Sequence, residues 1–355
     1  MNVVFRVDAS VRIGVGHLMR CLTLAEALRE RGVAIHFICR EHNGNVIALL
    51  QQKAMPVIVL PAPAINDITH SKDYSACLGM TQAEDAEQTI KAFNGEKPDW
   101  LVVDHYGLNI EWEKQLRPHI GKLMVIDDLA NRNHDCDLLL DQNYSVDGDQ
   151  RYNSLVSPQG EVLLGLKYAL LRKEFKVLRE RLEPRAHQLK KILVFFTAGD
   201  DQGETLKAMQ GIELFGKADC VDVVIGLSNP SSVEIIKKCD ELRWGYHCQV
   251  DYMPSLIAQA DLAIGAGGSS NWERCALGLP AVVTILAENQ APIAQALGRA
   301  GIIVNLGWSY DLQAADYADA LITLNHDRLA TMSEKAFALV DAKGAGRMAD
   351  VLLAA

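Results

Sequence analysis

The chain has 355 residues, and at roughly 150 residues per domain this predicts two domains. Hydrophobic residues make up 49% and charged residues 23%, which excludes disorder, collagen and coiled coil as descriptions of the whole chain. Lys plus Arg is 35 against 45 Asp plus Glu, so the net charge of −10 repels nucleic acid and anionic membranes, and neither is expected as a partner.

The predicted elements alternate β and α. Asn2 to Val7 reads as a short strand and Gly14 to Arg31 as an amphipathic helix stopped by Gly32. Strands follow at Val33 to Cys39, Pro56 to Leu60, Trp100 to Asp104, Lys122 to Asp127 and Cys136 to Asp141. Helices are expected between them at Asn45 to Lys53, Thr81 to Phe93 and Ile110 to His119, the second opened by a capping box of Thr81 and Glu84. Leu166 to Arg181 reads as a charged connector helix, and then the alternation starts again at Lys191. Leu262 to Ala266 is a strand, Ser270 to Leu277 a helix and Ala281 to Leu286 a strand. Continuous apolar strands between helices imply parallel sheets covered on both faces.

The expected organisation is therefore two doubly wound Rossmann-type domains. The first spans 1–165, a connector 166–190, the second 191–310, and a helical tail 311–355. Ligands in such sheets bind at the carboxyl ends of strands, and a cleft between two domains adds to that. The eight cysteines contain no CxxC spacing and read as reduced thiols. Arg6 and Asp8 interrupt any apolar leader and no run approaches 18 apolar residues, so a soluble cytoplasmic protein is expected.

Five segments carry polar chemistry at strand ends. After the first strand come Asp8 and then Gly14-Val15-Gly16-His17-Leu18-Met19-Arg20. The two glycines let a ligand approach the backbone, and His17 stands in the helix's first turn, where the dipole favours a neutral, proton-accepting imidazole. A capping or packed histidine is the plainer alternative. Asp104-His105-Tyr106 ends a buried strand and points to ligand contacts. Asp127, Asp128, Asp135, Asp137 and Asp141 cluster without a metal-loop pattern, so capping and loop hydrogen bonds are expected and no metal. Ala198-Gly199-Asp200-Asp201 forms a second glycine loop. Gly267-Gly268-Ser269-Ser270 opens a helix with room for a diphosphate, Ser269 or Ser270 capping it, and Glu273 one turn on is placed to accept ribose hydroxyls. Asn289 and Gln290 follow the next strand.

Taken in series, Gly14-x-Gly16-His17 and Gly267-Gly268-Ser269 through Glu273 to Gly278-Leu279-Pro280 resemble the GT-B nucleotide-sugar enzymes, notably the MurG-type transferases. Arg6-x-Asp8-Ala9-Ser10, His17-x-x-Arg20-Cys21-Leu22, Asp104-x-Tyr106, Asp127-Asp128-Leu129-Ala130, Asp141-Gln142-Asn143, Lys167-Tyr168-Ala169-Leu170-Leu171-Arg172 and Trp272-Glu273-Arg274-Cys275 are more specific. They resemble the pseudaminic acid pathway hydrolases (PseG/SpsG family) up to about residue 305. The resemblance implies a GT-B-like fold and metal- and cofactor-independent hydrolysis of UDP-2,4-diacetamido-2,4,6-trideoxy-β-L-altropyranose with inversion at C1. The product would feed a nonulosonic acid that decorates flagellin or a surface polysaccharide. It implies His17 as the base. It also implies sugar contacts from Asp8, Gly14, Gly16, Arg20, Tyr106, Asn289 and Gln290. UDP would be held by Gly199, Tyr252, Met253, Gly267, Gly268, Ser269, Ser270 and Glu273. The second glycine loop departs from the family's Gly-Gly-x-Asp by having Ala198 and the added acid Asp200, which weakens close contact there. A MurG-like glycosyltransferase, a UDP-sugar epimerase and a non-catalytic binder remain the alternatives.

Overall fold

The computed structural model describes the chain apart from residues 11–12, 64–73, 145–149, 184, 186–187 and 200. It forms two compact units, one of Met1–Leu170 with Lys343–Ala355 and one of Leu171–Ala342.

The first unit runs β1 (Asn2–Val7), α1 (Gly16–Arg29), β2 (Ala34–Arg40), α2 (Ile47–Gln52), β3 (Val57–Leu60), α3 (Gln82–Ala92), β4 (Trp100–Asp104), α4 (Ile110–Leu116), β5 (Lys122–Ile126), β6 (Leu138–Asp141) and β7 (Glu161–Leu164). The strands pair in parallel in the order β3-β2-β1-β4-β5-β6-β7. The inner strands are largely apolar because each face has its own core. Val3, Phe5 and Val7 join Leu18, Leu24 and Leu28 of α1 on one side, while Val4 joins Leu101, Val103 and Trp112 on the other. The Thr81–Glu84 capping box opens α3 as expected.

The sequence reading missed β7, a short half-exposed edge strand. The helix expected over Leu166 to Arg181 is instead a 3-10 turn at Leu166–Tyr168, an extended stretch and a helix from Lys173. Leu170 donates its N–H to Gln142 Oε1 at 2.8 Å, which holds that stretch out of helical geometry.

The second unit runs α5 (Lys173–Glu180), β8 (Lys191–Phe195), α6 (Glu204–Phe215), β9 (Cys220–Ile225), α7 (Ser232–Leu242), β10 (Gly245–Cys248), α8 (Met253–Gln259), β11 (Leu262–Ala266), α9 (Ser270–Ala276), β12 (Ala281–Ile285), α10 (Ala291–Arg299), β13 (Ile303–Trp308), α11 (Ala314–Ile322) and α12 (His326–Leu339). Its parallel order is β10-β9-β8-β11-β12-β13. The helices after residue 310 divide between the units. Tyr317, Leu321, Leu329 and Met332 of α11 and α12 enter the second core. The last helix, α13 (Gly344–Ala354), places Met348, Ala349 and Leu352 in the first core with α1.

Candidate functional site

In the first sheet the strand order reverses between β1 and β4, which is where an open α/β sheet leaves room for a ligand. The register pairs Val7 with Asp104, so the β1–α1 loop opens beside the end of β4. His17, in the first turn of α1, lies with Nδ1 2.5 Å from Asp104 Oδ1. One turn on, Arg20 grips the same carboxylate with two bonds, Nε to Oδ2 at 2.5 Å and Nη2 to Oδ1 at 2.7 Å. Its Nη1 donates to Asp128 Oδ2 at 2.9 Å. The Tyr106 hydroxyl donates to Asp128 Oδ1 at 2.5 Å, and its ring meets the His17 ring edge-on with centroids 4.4 Å apart. The structure thus brings together His17, Arg20 and Tyr106 from the sequence reading. It adds two residues given no individual role there, Asp104 and Asp128, whose signal is a carboxylate directly after an apolar strand.

Electrostatics fix the protonation of this group. Burial opposes ionisation of Asp104, but Arg20 and then His17 hold its carboxyl well below the usual range. Burial likewise opposes Asp128, and Arg20 again brings it down. Burial and the Asp128 charge push the Tyr106 phenol well up, so it remains a donor. With an anion facing Nδ1, the neutral imidazole carries its proton there, and Nε2 is left as the acceptor.

Gly14 has φ of 78° and donates its N–H to Ser10 O at 2.8 Å, closing the loop before α1. A Cβ at Gly14 or Gly16 would meet nothing within 4 Å, so the backbone there is open to approach. Asp8 is different. It is fully buried, and its oxygens take Arg6 Nη1 at 2.5 Å and the Arg40 N–H at 2.7 Å, with His105 Nε2 at 3.3 Å and His42 Nε2 at 3.4 Å. The side chain expected on the sugar is instead bonded inside the domain.

The second sheet reverses between β8 and β11, and both glycine loops follow those strands. Gly199 donates its N–H to Thr197 Oγ1 at 3.3 Å, and a Cβ there would meet nothing. Asp200 lies outside the described residues. Asp201 is buried and accepts from the N–H groups of Gly203 at 3.0 Å and Thr205 at 3.2 Å, so it caps α6. Gly267 is backed by Gln290, whose Cβ would be 3.3 Å from an added Cβ. Gln290 is held by the Leu286 N–H on its Oε1 at 3.0 Å, while Asn289 is exposed. Gly268 is open apart from the Gln290 amide.

Ser269 occupies the N-cap of α9 without the expected side-chain cap bond, because its backbone is already helical (φ −60°, ψ −22°). Glu273 is partly buried in the first turn, and burial raises its carboxyl despite Arg172 and Arg274 nearby. Tyr252 is half-exposed with its hydroxyl 3.0 Å from His247 Nδ1, and Met253 beside it is buried. Arg274, unremarked in the sequence apart from its motif, is buried and donates to the Ala266 carbonyl at 2.8 Å and Asn271 Oδ1 at 2.5 Å, steadying the loop from below.

Among the described residues no group of three or more His, Cys, Asp or Glu is arranged to hold a metal, and no helix is long and apolar enough to cross a membrane. One carboxyl titrates near neutrality: burial pushes Asp141 up to about 6. The unfolded chain loses this proton near the ordinary aspartate value of 3.8, so between those values the folded state holds more protons and stability falls as pH rises. Asp141→Asn removes that loss. Its melting midpoint relative to the parent is expected to move in the variant's favour from pH 4 to pH 7, checked by thermal melts across that range.

No family model matches the chain. It is 29% identical over 239 residues to the UDP-2,4-diacetamido-2,4,6-trideoxy-beta-L-altropyranose hydrolase of Campylobacter jejuni, covering 67% of this chain and 74% of that one. It is 24% identical over 313 residues to the spore coat polysaccharide biosynthesis protein SpsG of Bacillus subtilis, covering 86% and 84%. The crystal structure of Acinetobacter baumannii MurG superposes with a TM-score of 0.67 at 13% identity, covering 100% of this chain and 99% of that chain. Two parallel α/β units of this topology have the GT-B-type fold. Among the proteins it resembles in sequence are this hydrolase and SpsG, in line with the resemblance its motifs carry.

Proposed function

We propose that the protein is a UDP-sugar hydrolase acting on UDP-2,4-diacetamido-2,4,6-trideoxy-β-L-altropyranose, with His17 as the base. The observation that carries this reading is His17 hydrogen-bonded at 2.5 Å to Asp104, a buried carboxylate kept ionised by Arg20, at the switch point of the first sheet. Asp104 holds Nδ1–H, and Nε2 orients a water. The water oxygen bonds to C1 as the C1–O bond to the β-phosphate breaks. UDP leaves with the bonding electrons, the water proton passes to Nε2, and the configuration at C1 inverts. UDP is a good leaving group without protonation, so the two carboxylates of ordinary glycosidases are not required. In this reading Gly199, Tyr252, Met253, Gly267 to Ser270 and Glu273 bind UDP, and donors at the glycine loops stabilise the departing diphosphate. Gly14, Gly16, Tyr106, Asn289 and Gln290 face the sugar, and Arg20 acts through Asp104. The reaction is read as a cytoplasmic one that needs no cofactor.

The similarity to MurG in fold favours a second reading, a glycosyltransferase that needs an acceptor. Proton NMR of the protein with the UDP-sugar alone separates the two. The expected result is free UDP and a free sugar first seen as the inverted anomer, at the same rate with and without EDTA. Substrate unchanged until an acceptor is added sinks the hydrolase in favour of the transferase, and a rate abolished by EDTA sinks the metal-free mechanism.

A further inference from the structure

The helices after β13 have no part in the reading above, yet one of them bonds to the residue that opens α6 and to the strand beside the other glycine loop. Tyr317 of α11 is fully buried and donates its hydroxyl to Glu204 Oε2 at 2.5 Å. Its oxygen lies 2.7 Å from Thr284 Oγ1, so the threonine hydroxyl donates to it. Glu204 is the first residue of α6, directly after the turn at Gln202 and Gly203, and is itself fully buried. Thr284, in β12, accepts the Gly267 N–H on its backbone carbonyl at 3.1 Å. One phenolic hydroxyl therefore joins the start of α6 to the strand that holds the start of the other glycine loop.

The surroundings leave this joint little freedom. A Cβ at Gly211 of α6 would lie 2.5 Å from Tyr317 Cβ and 2.7 Å from the Ala314 carbonyl, so α6 and α11 touch backbone to side chain. Lys207 pairs with Glu204 and also donates to the Ser309 carbonyl at 2.7 Å and the Leu312 carbonyl at 3.2 Å, tying the segment before α11 to α6. Burial and the Glu204 charge keep the phenol protonated. Asp201 fixes the turn from the other side through Gly203 and Thr205.

We infer that Tyr317 is a positioning residue for the UDP site, setting the spacing between the N-terminus of α6 at Gly203 and the Gly267–Gly268 loop through Glu204 and Thr284. This rests on the reading that the two glycine loops bind UDP. A bidentate anion such as a diphosphate senses the distance between two donor loops, and a small misplacement of either weakens binding strongly. A purely structural tyrosine would affect melting alone.

The test is calorimetric titration of UDP into wild type, Tyr317→Phe and Thr284→Val, well below each melting midpoint, with steady-state kinetics on the UDP-sugar. The expected result is UDP affinity weakened about tenfold in Tyr317→Phe, a parallel rise in KM and kcat within about twofold of wild type. Thr284→Val, which keeps the branched side chain and removes only the hydroxyl, is expected to move the same way and carries the test if Tyr317→Phe does not fold. Wild-type affinity in the folded variants, whatever their melting points, overturns the inference alone. A wild type that takes up no UDP overturns the UDP reading and this inference with it.

Discussion

On the proposed mechanism His17→Ala is expected to lower kcat/KM for the UDP-sugar by about 10²–10⁴-fold and to leave UDP affinity at the wild-type value, with steady-state kinetics and calorimetry as the check. The split follows from where the residues lie. His17 belongs to the first unit, whereas the residues assigned to UDP belong to the second. Asp104→Asn is expected to give a loss of similar order. Asp104 Oδ1 now accepts from both His17 Nδ1 and Arg20 Nη2, and Oδ2 accepts from Arg20 Nε. An amide has only one acceptor oxygen, so its nitrogen must face either the imidazole or the guanidinium. Facing the imidazole it favours the wrong tautomer, and facing the guanidinium it loosens Arg20. Because the two residues act as one unit, the double variant is expected to be no slower than His17→Ala. Full activity in His17→Ala sinks the base, and full activity in Asp104→Asn with a slow His17→Ala sinks only the dyad.

Much of the fold was readable because its strands obey a simple rule. A strand buried on both faces is a continuous apolar run, and Trp100–Asp104 and Leu262–Ala266 have the bounds read from the sequence. β7 escaped because an edge strand of four residues, with Glu161 exposed, lacks that signature. The stretch Ala169 to Leu171 is apolar and was read as helix. Gly344 lies so close to it that a Cβ there would be 2.2 Å from the Ala169 carbonyl, a long-range contact no local pattern announces. The candidate site divides the same way. His17, Arg20 and Tyr106 stand at the ends of legible elements. The pairing of His17 with Asp104 spans 87 residues and depends on β1 and β4 being neighbours, which strand order decides and composition does not.

The other large effect concerns Asp8, where two readings predict different measurements. As a sugar contact, Asp8→Asn would raise KM and leave the melting midpoint alone. The geometry points to a loss of stability instead. Asp8 and Asp85 are two buried anions set against two buried cations, Arg6 and Arg40. Arg6 pairs with both acids, and Arg40 pairs with Asp85 at 2.5 Å. Burial keeps His105 neutral despite the Asp8 charge, so that histidine adds no compensating charge. Removing Asp8 leaves one guanidinium in excess in a dry interior, a defect that costs about 3–5 kcal/mol when a buried pair is broken. Against a total of about 5–15 kcal/mol, Asp8→Ala is expected to unfold much of the first unit at physiological temperature. Asp8→Asn keeps the shape but loses the charge and falls in the same direction, read by denaturant titration. The sign with pH is a second check. Burial opposes ionisation of Asp8, yet Arg6, helped by His105 and His42, holds its carboxyl well below the usual range. Its stabilisation is therefore present above about pH 4 and is lost on acidification. The stability gap between parent and Asp8→Asn should narrow as the pH falls below that value. A gap that is absent at neutral pH, with KM alone displaced, would return Asp8 to the sugar and require its carboxylate to leave Arg6 and the Arg40 N–H when substrate binds.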